Sequence, residues 1–124
     1  MEQNVLKTHK YSYQEIQEIP VSRGIYAAWL LNECIYIGKS GKLFDRIKSH
    51  YSGQRGSDQF CLYIYDSYIK VSLNGKGAEL TKEINSITKE WSRKNLFFSY
   101  YECKNDGEQE LIFRKSMQPT LNPL

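Results

Sequence analysis

The sequence predicts an α+β domain in which a small antiparallel sheet of about three strands is flanked by helices. Two short apolar runs separated by two polar residues predict a hairpin, and an aromatic-rich run around Tyr100 predicts another strand. Elsewhere, apolar residues three or four positions apart predict helices. At 124 residues the chain is long enough to bury a core of its own. We therefore expect residues 1–124 to form a single domain.

The predicted hairpin is the central element. Its strands are Gly24–Leu31 and Cys34–Ile37, and only Asn32 and Glu33 separate them, which favours a tight turn. Gly38 is expected to end the second strand, and the polar stretch after it predicts a further turn.

A helix is predicted immediately after this turn, from Lys42 to Tyr51. Its apolar residues share one face of a 3.6-residue period. Arg46 and His50 lie four positions apart, so they share a second, polar face. The order is therefore hairpin, turn and helix, with tyrosines on the strands and an Arg/His pair on the helix.

An N-terminal extension, residues 1–22, precedes the hairpin. Within it, Ser12 and Glu15 fit a capping box, which predicts the start of a short helix. Pro20 is expected to end that helix. We assign no chemistry to this extension.

The stretch 57–66 leaves two predictions open. Ser57 and Asp58 favour the start of a helix, whereas the continuous apolar run Phe60–Tyr65 also fits a buried strand. A helical insertion is expected over residues 67–94. From there on, the predicted elements are an extended piece Tyr68–Leu73, a turn Asn74–Gly77, a helix Ala78–Lys94, a strand Asn95–Cys103, a helix Glu108–Met117 and an extended tail from Pro119.

The positive charge is concentrated locally. Between residues 39 and 55 there are five basic residues against one acid, whereas the net charge of the whole chain is only +3. Such a patch is typical of a surface that binds a phosphate backbone, although a solvated helix face is the plainer interpretation. The basic residues are Lys39, Lys42, Arg46, Lys48 and Arg55.

Composition also bears on the compartment. The sequence contains no long apolar run of the kind that spans a membrane, and its first residues lack an apolar signal core. Three cysteines without a paired spacing favour a reducing compartment and argue against a zinc site. A cytoplasmic protein without a membrane partner is therefore expected.

Two tripeptides of the predicted hairpin resemble a known nuclease signature. Gly24-Ile25-Tyr26 and Tyr36-Ile37-Gly38 have tyrosines ten positions apart, and the downstream Leu43-x-x-Arg46-x-x-x-His50 is similar to the second motif of the same family. Glu110 with Pro119-x-x-Asn122 resembles its last motif. From Gly24 onward the chain thus resembles the GIY-YIG nuclease superfamily, in particular its small stand-alone bacterial and phage-type members.

The resemblance implies a site and a role for each residue. Tyr26 is expected to act as the general base or to orient the attacking water, with help from Tyr36 and His50. Arg46 would stabilise the phosphoryl charge. The resemblance also favours a helix over 57–66. Lys39, Ser40, Lys42, Lys48 and Arg55 are the candidate nucleic-acid-binding residues.

A single Mg²⁺ or Mn²⁺ ion is the cofactor that the resemblance implies. The spacing to Phe113, Pro119 and Asn122 favours Glu110 over Glu108 as its ligand. A carboxylate is a hard oxygen ligand of the kind these ions prefer. Structural roles are expected for three further residues, namely Gly24, Gly38 and Asn122, the last of which would tie the tail to the hairpin.

The expected function is metal-dependent hydrolysis of DNA phosphodiester bonds. Two alternatives stay open: a non-catalytic nucleic-acid-binding module with the same fold, and a nuclease that cleaves RNA. Neither the extension 1–22 nor the insertion 67–94 carries a recognisable DNA-reading motif. Target choice could therefore depend on a homodimer or on a targeting partner.

Overall fold

The computed structural model describes the backbone of residues 2–70 and 77–124 and the side chains of residues 5–70 and 80–124. Its strands are a hairpin near the N-terminus and a third strand that follows a run of helices. In order, the helices and strands are α1 Glu2–Thr8, a 3₁₀ helix Tyr13–Glu18, β1 Gly24–Leu30, β2 Glu33–Ser40, α2 Leu43–His50, α3 Gln59–Ile64, a π-helical turn Tyr65–Ile69, α4 Gly77–Asn95, β3 Leu96–Glu102 and α5 Asp106–Met117.

The three strands form one antiparallel sheet in the order β2-β1-β3. β1 is the central strand, and Tyr26 in its middle lies opposite Gly38 of β2 and Tyr100 of β3. The predicted α+β class, with a small antiparallel sheet flanked by helices, is confirmed.

The hairpin differs from its prediction at both ends of β2. Its turn consists of Leu31 and Asn32, one position earlier than expected, and Leu31 has a positive φ of 55°. Gly38 does not end β2, because Lys39 and Ser40 continue the pairing with the first residues of β1. The strand therefore continues for two residues past the second tripeptide.

A bulge in β2 decides which side chains share a face. The pairing shifts between Ala28 and Trp29 of β1, which leaves Ile35 as the extra residue in β2. As a result, Ile35 and Tyr36 both pack with the core cluster that contains Tyr26, whereas Ile37 packs in the opposite cluster. Without the bulge, Ile35 and Ile37 would lie on the same face.

Helices cover both faces of the sheet. The 3₁₀ helix, α2 and α3 contribute to the core cluster around Tyr26, against which Trp91 of α4 also packs. On the other face, Leu6 of α1 and Phe113 of α5 are fully buried among residues of β1 and β2. The sheet is thus enclosed between two helical layers.

The N-terminal extension lies along the free edge of β3. Tyr11 and Phe98 exchange two backbone hydrogen bonds of 2.7 and 2.9 Å. The carboxylate of Glu15 accepts a hydrogen bond from the backbone of Ser12 at 2.9 Å, as the predicted capping box requires. The sequence did not predict α1, which lies at the start of this extension.

The middle of the chain is more helical than predicted. Within the stretch 57–66, Gln59–Ile64 form the helix that the resemblance favoured, with Asp58 as its N-cap. Tyr68 and Ile69, predicted to be extended, belong to the π-helical turn that follows α3. Lys70 ends that turn with a positive φ of 33°, and residues 71–73 of the predicted piece and the predicted turn up to residue 76 lie outside the described residues. Among the helices described, none is long and apolar enough to cross a membrane.

Candidate functional site

Tyr26 and His50 form a direct hydrogen bond inside the core. The hydroxyl oxygen of Tyr26 lies 2.6 Å from Nε2 of His50, and the two side chains are only 1% and 4% exposed. β1 supplies the tyrosine, and the last turn of α2 supplies the histidine. The structure thus brings together two of the predicted catalytic residues.

The same histidine contacts Asp58 through its other ring nitrogen. Nδ1 of His50 lies 2.8 Å from Oδ2 of Asp58, and Ser49 donates to that same oxygen at 2.7 Å. The second carboxylate oxygen caps α3 by accepting from the backbone amides of Phe60 and Cys61. Sequence reasoning identified Asp58 only as a helix starter and missed its contact with His50.

The pKa shifts and the hydrogen-bond partners together indicate where the protons of these three side chains lie. Burial lowers the pKa of His50, so its ring is neutral at pH 7. Burial would raise the pKa of Asp58, but the hydrogen bonds and charge of His50, with Ser49 and a backbone amide, lower it overall. An ionised carboxylate only accepts, so the single ring proton of His50 lies on Nδ1 and Nε2 accepts the Tyr26 hydroxyl proton.

Tyr26 itself is protonated at neutral pH. Burial raises its pKa well above the ordinary value of 10.0, and the nearby Tyr36 and Asp58 raise it further. Arg46 opposes this rise through its positive charge and a side-chain hydrogen bond. A phenolate is therefore not the ground state of this tyrosine.

Tyr36 and Glu110 occupy the edge of the same region. The rings of Tyr26 and Tyr36 are stacked with centroids 6.3 Å apart, and Tyr36 is half-buried. Burial raises the pKa of Tyr36, and the charge of Glu110 is the next largest cause. Glu110 of α5 is thus close enough to Tyr36 to raise its pKa, whereas Glu108 is exposed.

A polar pocket of about 310 Å³ opens beside Tyr36 and His50. Residues of β2 and α2 and the start of α3 line it, among them Tyr36, Arg46, Ser49, His50, Asp58 and Phe60. A larger groove of about 610 Å³ lies between the loop at Ser52 and α4, but it contains none of the predicted site residues. We therefore take the smaller pocket as the candidate site.

The carboxylate near this pocket suits an ion that needs few protein ligands. Within the described side chains, no three His, Cys, Asp or Glu residues are grouped closely enough to form a metal site by themselves. A single carboxylate such as Glu110 suits Mg²⁺ or Mn²⁺, which fill most of their coordination positions with water and substrate phosphate. A structural zinc site would require four protein ligands.

The predicted nucleic-acid-binding residues have different environments. Lys39, Lys42 and Lys48 are exposed. Ser40, the last residue of β2, is buried instead, and its hydroxyl hydrogen-bonds the backbone of Lys42 at the start of α2. Arg55 is half-buried, donates to Asn85 at 3.2 Å and lies over the ring of Tyr65, so its guanidinium is already engaged within the fold.

The three predicted structural residues each make a specific close contact. A Cβ at Gly24 would clash with the backbone carbonyl of Tyr101 in β3, and a Cβ at Gly38 would lie 2.5 Å from Cζ of Tyr26. Asn122 donates to the carbonyl of Ile37 at 2.6 Å and accepts from its amide at 3.1 Å. The tail is therefore tied to the hairpin through the amide of Asn122, as expected.

Comparisons with protein-family models, with curated proteins and with solved structures find no match to this chain. The likeness to a nuclease family accordingly depends on the motifs and on the arrangement of the residues described above.

Proposed function

We propose that this protein is a metal-dependent endonuclease of the GIY-YIG type that hydrolyses DNA phosphodiester bonds. The observation that carries the proposal is the convergence of Tyr36, Arg46 and His50 at one polar pocket, with Tyr26 buried behind it and hydrogen-bonded to His50. They come from β1, β2 and α2, and a site that depends on three elements is hard to attribute to chance spacing in the sequence.

The chemistry requires a deprotonated water, neutralisation of the charge on phosphorus and help for the leaving oxygen. Arg46 is exposed at the pocket, where its guanidinium can bind a phosphate in a bidentate manner. Tyr36 offers a hydroxyl to the water or to a phosphate oxygen. A Mg²⁺ or Mn²⁺ ion held by Glu110 would supply Lewis-acid stabilisation of the phosphoryl charge.

The surface charge supports a nucleic-acid substrate. Lys39, Lys42 and Lys48 are exposed on β2 and around α2, the same elements that carry Tyr36 and Arg46. Lys42 also lines a second pocket, which shares Arg46 and Ser49 with the candidate site. A phosphate backbone bound along these lysines would pass over Arg46, and its binding would weaken with salt.

The first test is cleavage of supercoiled plasmid with Mg²⁺, with Mn²⁺ and with EDTA. We expect metal-dependent nicking or linearisation by the wild type. Glu110→Ala should cut about 100-fold more slowly or worse, which corresponds to about 2.7 kcal/mol of barrier. Glu108→Ala is the matched control, since it removes an exposed carboxylate from the same helix and should cut within a few-fold of wild type.

Three outcomes would contradict the proposal. Equal rates of cutting by Glu110→Ala and wild type would contradict the role of Glu110 as the metal ligand. Shifted plasmid without any cut would indicate a binding module. Parallel digestion of labelled RNA would indicate an RNA nuclease if only that substrate were cut.

A further inference from the structure

We propose that Asp58 is a positioning residue that holds His50 in the tautomer whose Nε2 accepts the proton of Tyr26. The inference rests on the proposed endonuclease function for its catalytic meaning. Its geometric part concerns the hydrogen bonds alone and can be tested separately.

Three side chains form one continuous path. Tyr26 Oη lies 2.6 Å from His50 Nε2, and His50 Nδ1 lies 2.8 Å from Asp58 Oδ2. All three side chains are buried, and the ring of Phe60 packs on the imidazole with centroids 4.4 Å apart. A carboxylate that orients an imidazole in this manner has the part of the acid in a serine-protease triad.

The path explains how a tyrosine with an enclosed hydroxyl can serve as a base. As the oxygen of water bonds to phosphorus, the water proton passes to Tyr26 Oη, and the hydroxyl proton of Tyr26 passes to His50 Nε2. The bond from phosphorus to the leaving sugar oxygen breaks, and that oxygen takes a proton from solvent. Tyr26 stays neutral throughout, and Asp58 stabilises the imidazolium that forms.

The cap of α3 makes Asp58→Asn an informative variant. Oδ1 of Asp58 accepts from the amides of Phe60 and Cys61 at 2.9 and 3.3 Å, a role that asparagine fills equally well. The asparagine oxygen should therefore stay on the cap and turn its NH₂ group toward His50. That group donates to Nδ1, so the ring proton must move to Nε2, which can no longer accept from Tyr26.

The experiment combines ¹⁵N NMR of the histidine rings with plasmid cleavage. The chain has only two histidines, so His9→Gln, which removes the exposed one, leaves His50 as a single signal. In this background we expect Nδ1 protonated and Nε2 bare at pH 7.5. Adding Asp58→Asn should move the ring proton from Nδ1 to Nε2. It should also slow cleavage by about 100-fold or more, a loss typical of removing a general base.

Asp66→Asn is the matched control, because it makes the same change at an exposed acid of the neighbouring π-helical turn. It should alter neither the tautomer nor the rate. A protonated Nε2 in the His9→Gln protein that still carries Asp58 would overturn the inference. So would a slow Asp58→Asn protein with an unchanged tautomer, since that result would indicate a purely structural role.

If the wild type cuts no nucleic acid, the endonuclease proposal fails by itself. The tautomer measurement still decides the inference in that case, because exchange of the two ring states in Asp58→Asn supports the assigned hydrogen bonds without reference to activity.

Discussion

Gly38 shows how a residue without a side chain can determine the site. It faces Tyr26 across the hairpin, and the phenol ring of Tyr26 lies over its Cα where any other residue would carry a Cβ. The glycine of the second tripeptide is therefore needed for the close approach of an aromatic ring, whereas its backbone has no positive φ. The hydrogen bond between Tyr26 and His50 depends on this space.

We predict that Gly38→Ala destabilises the protein and disrupts that hydrogen bond. The new methyl group would lie 2.5 Å from Cζ of Tyr26, so the buried ring must move. Overpacking of this kind costs about 1–3 kcal/mol. Urea unfolding measures the stability change, and plasmid cleavage measures the displacement of Tyr26.

Gly56→Ala is the control for this substitution, because a Cβ there meets no atom within 4 Å. It should change the free energy of unfolding by less than about 0.5 kcal/mol. Equal stability and equal cleavage for the two alanine variants would show that the ring does not need the space at Gly38.

At the scale of elements, the C-terminal tail acts as an additional edge of the sheet. Thr120 and Leu121 donate backbone hydrogen bonds to the carbonyls of Cys34 and Ile35 in β2, and Asn122 bonds both polar groups of Ile37. Arg114 of α5 holds the tail from the other side by donating to the carbonyl of Asn122 at 2.8 Å. The outer edge of β2 is thereby covered from Cys34 to Ile37.

We predict that Asn122→Ala loosens β2 at the second tripeptide. The substitution leaves the amide and carbonyl of Ile37 without their partners, which costs about 1–3 kcal/mol for a buried group. Hydrogen exchange should show faster exchange of the Ile37 amide, while the Tyr26 amide in the central strand changes little.

The comparison variant is Asn105→Ala, which removes an exposed asparagine at the start of α5 whose side chain makes no capping hydrogen bond. It should leave the exchange at Ile37 as in wild type. An unchanged Ile37 amide in Asn122→Ala would show that the tail is dispensable for the hairpin.

For the whole molecule, the buried polar cluster makes folding sensitive to acid. His50 is neutral in the folded state, and Arg46 helps to lower its pKa, whereas Asp58 partly offsets the fall. Tyr26 and Tyr36 face the same ring from β1 and β2. Unfolding exposes His50 to water, where its pKa returns to about 6.5 and it takes up a proton more readily.

We predict that stability falls as the pH drops below 6.5. In that range the unfolded chain binds more protons at position 50 than the folded protein does, so the free energy of unfolding decreases by up to about 1.4 kcal/mol per pH unit. The loss ends once the pH is below the folded pKa. Asp58, whose pKa is lowered from 3.8, contributes only in more acidic solution.

Urea unfolding at pH 7.5, 6.5 and 5.5 tests this prediction. In His50→Gln the free energy of unfolding should change little with pH over this range, whatever its value at pH 7.5. His9→Gln, at an exposed position, should retain the pH dependence of the wild type. A decline of the same slope in His50→Gln would assign the acid sensitivity to another group.

Much of the fold was predictable because it depends on neighbours in sequence. Apolar and aromatic runs indicated β1 and β3, and helical periodicity indicated α2 and α4, each within a few residues of its bounds. The stretch 57–66 was undecidable from periodicity alone, since a short apolar run suits either a strand or a helix. The extended form predicted for Tyr68 failed because α3 continues into a π-helical turn.

The sequence by itself determined the spacing that puts Tyr26, Tyr36, Arg46 and His50 within reach of one another. Hairpin pairing and the 3.6-residue period act between nearby residues, so their outcome can be derived locally. Only the tertiary structure decided that Asp58 meets His50, that Arg55 turns to Asn85, and which backbone groups the tail binds from 85 positions away. Such contacts depend on how loops close and helices pack, and no local pattern of residues encodes that geometry.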